Sequence, residues 1–329
     1  MPANTLITNN VVRIAEDVED KVYNFRPSDT PLVSSIARVS VDNRFHEWTA
    51  DTYRAPNAAN AAIEGADATY AAITQPGQYN NRTQIIQDTL SISGTTEAVK
   101  KYGRSSEVSY QRTKKMVELK KDIEAAAISN ATAVTGTSGV AGQMRGLYGF
   151  IATNNSLGVG GVAPNPQTNT APTAGTLRAF TEPFLKAVIV GAYTNGGNCD
   201  ALLVSPSHKQ LVSAFTGNVT RMNEVAGQTG VNTKSAPNPV ILQTSFTFYG
   251  HDFGVTKVIP NRVMSGSGAG LVNTAYLVDF DKLSLGQLRP FQSKELAQVG
   301  DAVNYQILTE VTLVVPQEGV LGAVRDLSP

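Results

Sequence analysis

The sequence predicts an α+β fold, and three stretches carry the prediction. One is a long uninterrupted helix pattern over Ser105–Asn130. The second is a clean alternation of apolar and polar residues over Val303–Val315. The third, between residues 175 and 273, alternates short helix and strand patterns. A helix with one apolar stripe and a sheet with one apolar face bury each other, so the first two stretches should form one body. The third reads as a compact α/β unit inserted between them.

Taken in order, residues 1–38 carry scattered apolar side chains, a short helical pattern over Val11–Val22, and breaks at Pro27 and Pro31. So weak a pattern cannot build its own core. The segment is expected to be a terminal arm that frays or lies across a neighbour.

Residues 39–93 read as an extended hairpin. One arm holds Arg44–Thr49 with Tyr53 beyond it, and the other runs over Gln84–Ser93, where Ile86, Leu90 and Ile92 share one face at period two. About thirty residues rich in Ala and Asn separate the arms, too many for a structureless loop inside a compact domain. The hairpin should therefore leave the body. A two-stranded ribbon is marginal in water, so it needs another chain to rest on.

Thr95 or Thr96 can start a helical turn that Gly103 ends. The long pattern over Ser105–Asn130 has neither Gly nor Pro, and Ser105 or Ser106 can cap it. Val108, Met116, Leu119, Ile123, Ala126 and Ala127 fall on one stripe, with the charged residues elsewhere. At ~1.5 Å per residue the helix would be roughly 39 Å long. Around it Lys100, Lys101, Arg104, Arg112, Lys114, Lys115, Lys120 and Lys121 are answered only by Glu107, Glu118, Asp122 and Glu124. That is a solvated face first, with weak, sequence-independent contact to phosphate as its functional reading.

Composition shifts at Thr132. From there to Leu177 the one charged residue is Arg145, among Gly, Ser, Thr, Asn and Pro. Turns and short strands packed on something else are expected, with Gly146–Ile151 the best strand candidate and residues 153–175 the least ordered part. Beyond it, Phe184–Ala192 and Pro206–Phe215 read as helices, the second with Ser205 as cap and Pro in its first turn. Ala201–Val204 reads as a buried strand. Val240–Phe248 and Phe253–Ile259 read as strands joined by a Tyr249-Gly250 turn, followed by strands at Tyr276–Phe280 and Ser284–Leu288. Finally, Val303, Tyr305, Ile307, Val311, Leu313 and Val315 share one strand face, with Asn304, Gln306 and Glu310 on the other.

Composition excludes more than it includes. With 329 residues the chain folds without staples, and 27 basic against 27 acidic residues give no case for nucleic acid or membrane as the principal ligand. Cys199 is the single cysteine, which excludes an internal disulfide and multi-cysteine metal sites. No stretch approaches the ~20 apolar residues of a membrane span, and the N-terminus lacks a secretory pattern, so a soluble cytosolic product is expected. His46, His208 and His251 have no metal-ligand spacing. Ser205-Pro-Ser207-His208 lacks the strand-turn-helix setting of a nucleophile and suits a helix cap better. Gly266–Gly270 has no following helix or Lys-Ser/Thr and reads as a turn rather than a phosphate loop. Asp279 and Asp281 would share a strand face, solvated at an edge, with a divalent metal as the weak alternative. No catalytic residue, metal site or cofactor is expected, and a hydrolase using His208 or His251 is the rival from the enzyme class.

The stretches Glu107–Glu124, Gln143–Gly149, Phe253–Arg262, Leu288–Phe291 and Leu296–Asp301, with Glu310–Leu313, resemble the major capsid proteins of tailed bacteriophages, and the order of parts is similar to the Hong Kong 97 fold. The resemblance implies an N-terminal arm (1–38), an extended E-loop hairpin (39–93), a peripheral domain (94–174 and 274–329) with a spine helix at 105–130, and an axial domain (175–273). It implies hexamers and pentamers that tile an icosahedral shell around double-stranded DNA, a virion location, and assembly in the host bacterial cytoplasm. It also implies that Tyr53–Tyr79 overlaps the adjacent subunit, making Trp48, Tyr53, Ile63, Tyr70 and Tyr79 contact candidates. The spine helix would face the lumen, with Arg104, Arg112, Lys114, Lys115, Lys120 and Lys121 near DNA. Against that pattern no N-terminal scaffolding segment of the kind some relatives carry is expected, so a separate scaffolding protein is; portal and decoration proteins are further expected partners, and no membrane. The alternatives are a nanocompartment shell around protein cargo and a monomeric binding module.

Overall fold

The computed structural model describes residues 29–65, 67, 70, 72–73, 75–215, 247–298 and 300–329. The helix expected over Val11–Val22 and the first part of the strand expected from Val240, residues 240–246, lie outside the described residues. In chain order the elements are α1 (Pro31–Ser35), β1 (Ala37–Ser40), β2 (Phe45–Ala50), β3 (Gly77–Arg82), β4 (Gln84–Ser93), α2 (Gly94–Ala98), α3 (Glu107–Ser129), α4 (Leu147–Phe150) and β5 (Asn155–Ser156). They continue with α5 (Glu182–Thr194), β6 (Ala201–Val204), α6 (Pro206–Ser213), β7 (Phe248–His251), β8 (Gly254–Pro260), β9 (Ala275–Val278), β10 (Ser284–Leu296), β11 (Ala302–Val314) and β12 (Gly322–Val324).

The long helix α3 begins where Ser106 Oγ accepts the Ser109 amide at 3.2 Å, and ends as Asn130 turns to extended backbone. Its buried stripe includes Leu119, Ile123, Ala126 and Ala127. These residues share a core with Ile86 of β4 and Ile307, Val311 and Leu313 of β11. The sheet beneath runs β1-β10-β11-β4, antiparallel except for the β1–β10 pair. The expected marriage of stripe and alternating strand therefore holds. Its burial exceeds the pattern, because Glu310 and Thr312 on the polar face are covered too. Gly286 of β10 makes room for that cover, since a Cβ there would lie 2.5 Å from Val41 and 2.8 Å from Thr312. Glu310 is satisfied by the Thr83 hydroxyl at 2.7 Å and Arg289 Nε at 2.8 Å.

Glu124 is the most deeply buried of the charged α3 residues that the stripe pattern misassigns. It is fully buried and accepts the amides of Leu32 at 2.9 Å and Val33 at 2.8 Å, at the N-terminus of α1, together with the Asn261 side chain at 2.7 Å. A carboxylate there satisfies orphan amides of the first turn, although burial pushes its pKa up. Leu32, Val33 and Ile36 join the main core. From Pro31 to Ser40 the chain is thus fastened to its own body, and the arm boundary expected at residue 38 falls inside β1.

The second sheet has the order β5-β12-β9-β6-β8-β7. Its central strands β6 and β9 are buried throughout. Ala201, Leu203, Tyr276 and Val278 face the core shared with α3, whereas Leu202, Val204, Ala275 and Leu277 face a second core built with Leu185, Val188 and Ile189 of α5 and Val212 of α6. A strand covered on both faces reads as an unbroken apolar run, which explains the ALLV and AYLV stretches. The α/β unit draws β5, β9 and β12 from either side of residues 175–273.

Four local expectations are corrected. Gly146–Ile151 is a helical turn, with the Phe150 amide on the Gly146 carbonyl at 3.1 Å. A short apolar run buried all round has no period to tell strand from helix. The hairpin turn lies beyond Tyr249-Gly250, because His251 pairs with Gly254, whose φ of 143° suits glycine. Residues 153–175 are held firmly: the Asp326 carboxylate accepts the Gly158 and Gly175 amides at 2.9 Å each, and bridges join Val162 to Thr173 and Asn165 to Thr170. Asp279 caps a 3-10 turn over Phe280–Lys282, so it and Asp281 share no strand face.

Candidate assembly surface

The hairpin differs from its expected form in a way that defines the site. The ribbon is β2 with β3, in register from Phe45–Arg82 to Ala50–Gly77, while Gln84–Ser93 belongs to the sheet as the partner of β11. One chain direction thus serves two sheets, with the crossing at Thr83. The ribbon's base is pinned to the body. Trp48 Nε1 donates to the Val315 carbonyl at 3.0 Å, and its ring lies 6.0 Å from that of Phe150. Asn81, fully buried, donates to the Leu313 carbonyl at 2.7 Å and the Arg145 carbonyl at 3.1 Å, and accepts the Arg145 amide at 2.8 Å.

Arg145 completes the fastening. Its guanidinium donates to the Pro166 carbonyl at 2.8 Å and Asn169 Oδ1 at 2.7 Å, and lies 4.9 Å from the Phe150 ring centroid. Burial pulls its pKa down to about 10, so it remains a cation at neutral pH. The only charge in the Gly-rich stretch therefore bolts that stretch to the ribbon's base. Tyr79, the cross-strand partner of Trp48, is half-buried, and burial followed by the Glu318 charge pushes its phenol up.

Past Ala50 and Gly77 this support ends. Tyr53, Ile63, Tyr70 and Ile73 are 82% to 104% exposed. The five expected contact residues thus divide: Trp48 and Tyr79 pack on their own chain, and Tyr53, Ile63 and Tyr70 are presented to the outside. Ile73 was not singled out from sequence, although its apolar side chain in an Ala-rich tip was the available signal. These four side chains leave large apolar surface in solvent.

The basic candidates divide too. Arg104 pairs with Glu107 and lies 5.4 Å from the Tyr110 ring centroid. Arg112 lies over the Tyr305 ring at 4.9 Å. Lys115 binds Asp88 at 2.8 Å and Glu118 at 3.1 Å, which holds its ammonium above the usual lysine range. Lys114 and Lys120 are exposed and Lys121 half-exposed. Asp88, folding in from β4, thus reduces the charge excess read along the helix, and the Tyr305 ring from β11 occupies Arg112 without neutralising it, neither of which a local window sees.

Chemistry is sparse among the described residues. His208 Nδ1 lies 3.0 Å from Ser205 Oγ, but the ring is fully buried and Nε2 is occupied by the Ser328 carbonyl at 2.9 Å. Ser205 Oγ accepts the His208 amide at 3.3 Å, as a helix cap does. His251 contacts Thr256 Oγ1 at 3.0 Å, and His46 lies against Trp48 with ring centroids 5.7 Å apart. Asp200 joins Asp279 and Asp281, with carboxylate oxygens within 4.8 Å of one another. Burial and then the Asp279 charge push the Asp200 carboxyl up, so the cluster relieves its repulsion by holding a proton more readily. Burial pushes the Cys199 thiol up to about 11, leaving it unreactive at neutral pH. No helix among the described residues is long and apolar enough to cross a membrane.

Comparison with known proteins adds three findings. The family described as SU10 major capsid protein matches residues 1–328. A curated relative, the major capsid protein of Escherichia phage Phieco32, is 25% identical over 225 residues, which span 58% of this chain and 64% of that protein. Among solved structures, the capsid asymmetric unit of cyanophage A-1(L) superposes with a TM-score of 0.60 at 13% identity, covering 98% of this chain and 99% of that one. The SrpI encapsulin complex of Synechococcus elongatus gives 0.53 at 10% identity, with 96% and 92% covered. At such identities the structures speak to fold alone.

Proposed function

The chain belongs to the SU10 major capsid protein family, and on that premise we propose that it is the shell subunit of a tailed-phage head, forming hexamers and pentamers of an icosahedral capsid around double-stranded DNA. The family match over residues 1–328 carries the reading, and the fold is the Hong Kong 97-like capsid fold. Physical chemistry supports it. A ribbon anchored at its base and apolar at its tip gains burial only against another molecule, and closed symmetry multiplies such a contact.

In this reading residues 39–93 are the extended loop, with Tyr53, Ile63 and Tyr70 on the adjacent subunit and Trp48 and Tyr79 setting the angle at which the loop leaves the body. The peripheral domain is residues 94–174 and 274–329, and the axial domain is built on residues 175–273. DNA contact falls to Lys114, Lys120 and Lys121, weak enough not to grip a cargo that must leave. The capsid protein would assemble in the host bacterial cytoplasm with scaffolding, portal and decoration proteins as further partners. Its role is structural, as in its family.

Electron microscopy of the purified chain under assembly conditions tests the proposal. Rings of five and six subunits or closed shells are expected, and a persistent monomer would overturn it. The encapsulin neighbour favours one second reading, a nanocompartment around protein cargo. Nuclease-protected, genome-length DNA inside particles from infected cells supports the first reading, and protein-filled particles lacking it support the second.

A further inference from the structure

From Gly146 to Leu177 the sequence carries no charged residue, and the structure puts much of that stretch at the surface. Residues 159–176 form a bridged hairpin in one antiparallel register. The Thr176 amide donates to the Val159 carbonyl at 2.9 Å, Val162 pairs with Thr173, and Asn165 pairs with Thr170. The hairpin is held at both ends. Asp326 closes its base through the amides of Gly158 and Gly175, and Arg145 holds its turn through the Pro166 carbonyl and the Asn169 side chain. Bracing of this kind fixes where the outer side chains stand, yet Val159 is 85% exposed, Val162 56% and Leu177 54%.

A surface meant for water carries roughly 25–35% Lys, Arg, Glu and Asp. This hairpin carries none and presents apolar side chains instead, the composition of an interface core, from which charge is depleted. With no cation of its own it offers nothing to phosphate. Its position indicates what covers it. The turn reaches the ribbon at the level where the ribbon's support ends: a Cβ on Gly77 would lie 3.4 Å from Gln167 Nε2, and the Gln167 side chain is hydrogen-bonded to Tyr79. The exposed tip side chains begin just past that point. The ribbon matches the hairpin in charge as well, because Ala55–Ile63 and Ala68–Gly77 contain no charged residue. A molecule that covers the tip meets the hairpin next, with no charged boundary between them.

We propose that the hairpin of residues 159–176, with Leu177, is a contact between subunits in its own right, buried against a second copy alongside the ribbon; the inference rests on the capsid reading above. The two surfaces differ in kind. The ribbon is a long element supported only at its base, so it can meet a neighbour at many angles. The hairpin is short and bolted to the body by Asp326 and Arg145, so its contact transmits the orientation of one body to the next. Once the ribbon has engaged, the hairpin's contact becomes intramolecular, and a small apolar surface suffices to form it. Together they fix the tilt between copies, as a closed ring requires.

The test uses full-length chains bearing Val159→Cys or Leu177→Cys, two variants so that one remains if the other does not fold. A maleimide is applied to the isolated subunit and to shells assembled from the purified chain, with Cys199 buried and silent in both. Labelling of the subunit and its loss in the shell are expected. Val162→Asp, which leaves the backbone bonds of the hairpin in place, should raise the subunit concentration needed for assembly without lowering the subunit's melting temperature. Shells in which both introduced thiols label as fast as in the free subunit, or a Val162→Asp chain that assembles at the wild-type concentration, overturn the inference and leave the capsid reading standing. Thiols that stay reactive in shells of purified chain but are covered in particles from infected cells overturn the second-copy assignment in favour of another virion protein. A wild-type chain that forms no shells overturns the capsid reading and this inference with it.

Discussion

The ribbon and the body it grows from are built from neighbouring stretches of chain, yet they obey different rules. In the body, Leu119, Ile123, Ile307 and Leu313 are at most 1% exposed, and buried carboxylates are bonded, as with Glu124 at the amides of Leu32 and Val33 and Glu310 at Thr83 and Arg289. In the ribbon, the two strands carry mostly polar and aromatic side chains, and only those near the base meet the body. Trp48 finds the Val315 carbonyl, and Asn81 ties β3 to Leu313 and Arg145. Past these, Tyr53 and Tyr70 touch almost nothing. Body stability belongs to the single chain, while the tip's large apolar side chains gain no burial from the described residues of that chain.

The largest effect expected from breaking this division is on assembly. Replacing residues 57–73 by a short Gly-Ser turn should leave thermal unfolding of the isolated subunit nearly unchanged, because exposed side chains contribute within about 0.5 kcal/mol. Shell formation should be lost. Electron microscopy and a thermal melt on the same preparation read both halves, and a normal shell from the shortened chain would show that the tip is not an interface. The converse variant, Ile123→Ala, should cost about 2–5 kcal/mol of subunit stability through the cavity it leaves between α3 and the sheet. Denaturant unfolding measures it, and a loss below about 1 kcal/mol would mean that the helix and sheet are less tightly packed than they look.

The same division governs what sequence could reveal. Ser105–Asn130 and Val303–Val315 were legible because one buried face against one exposed face leaves a period, 3.6 in the first and two in the second. Ala201–Val204 was legible as a strand from its brevity and its apolar run. Gly146–Ile151 was not, since burial on all sides erases the period. The base of the ribbon was hidden for a different reason. The bonds of Asn81 to Leu313 and of Trp48 to Val315 cross more than 200 residues, and no local window contains both ends. Arg145 was visible as the lone charge in its stretch, but its place as a bolt depends on carbonyls contributed by Pro166 and on Asn169. The exposed tip was the readable part of the candidate site, because a long stretch poor in large apolar residues cannot fold on itself. The basic set was readable only in part, because Asp88 and Tyr305, which occupy Lys115 and Arg112, come from other elements.

A smaller effect sharpens where the body ends and the ribbon begins. Asn81→Ala removes two donated hydrogen bonds and leaves the Arg145 amide without its acceptor inside the protein. A buried group stranded in this way costs about 1–3 kcal/mol. The loss should be local: hydrogen exchange should quicken along β3 and around Arg145, while amides of α3 keep their protection. Uniform acceleration across α3 would place the ribbon base inside the body's cooperative unit instead.

The smallest expected effect is one that only the body can show, because it needs a buried titrating group. His208 Nε2 faces the Ser328 carbonyl, which can only accept, so the neutral ring carries its proton on Nε2 and accepts at Nδ1 from the Ser205 hydroxyl. Burial lowers the His208 pKa below its ordinary 6.5, and the Ser328 carbonyl offsets this only in part. The folded state therefore binds fewer protons than the unfolded chain, so the stability His208 provides is complete above pH 6.5 and drains as pH falls toward its folded value. The slope cannot exceed about 1.4 kcal/mol per pH unit. Glu124 has the opposite sign, its raised pKa adding stability as pH falls through the carboxylate range. Comparison with His208→Gln cancels that contribution, since both proteins keep Glu124. The wild type should lose stability relative to the variant between pH 6.5 and 5, measured by urea unfolding at each pH. A constant difference across that range would mean that the ring is protonated as easily inside the fold as outside it, and that the contact between α6 and the Ser328 carbonyl opens before the body unfolds.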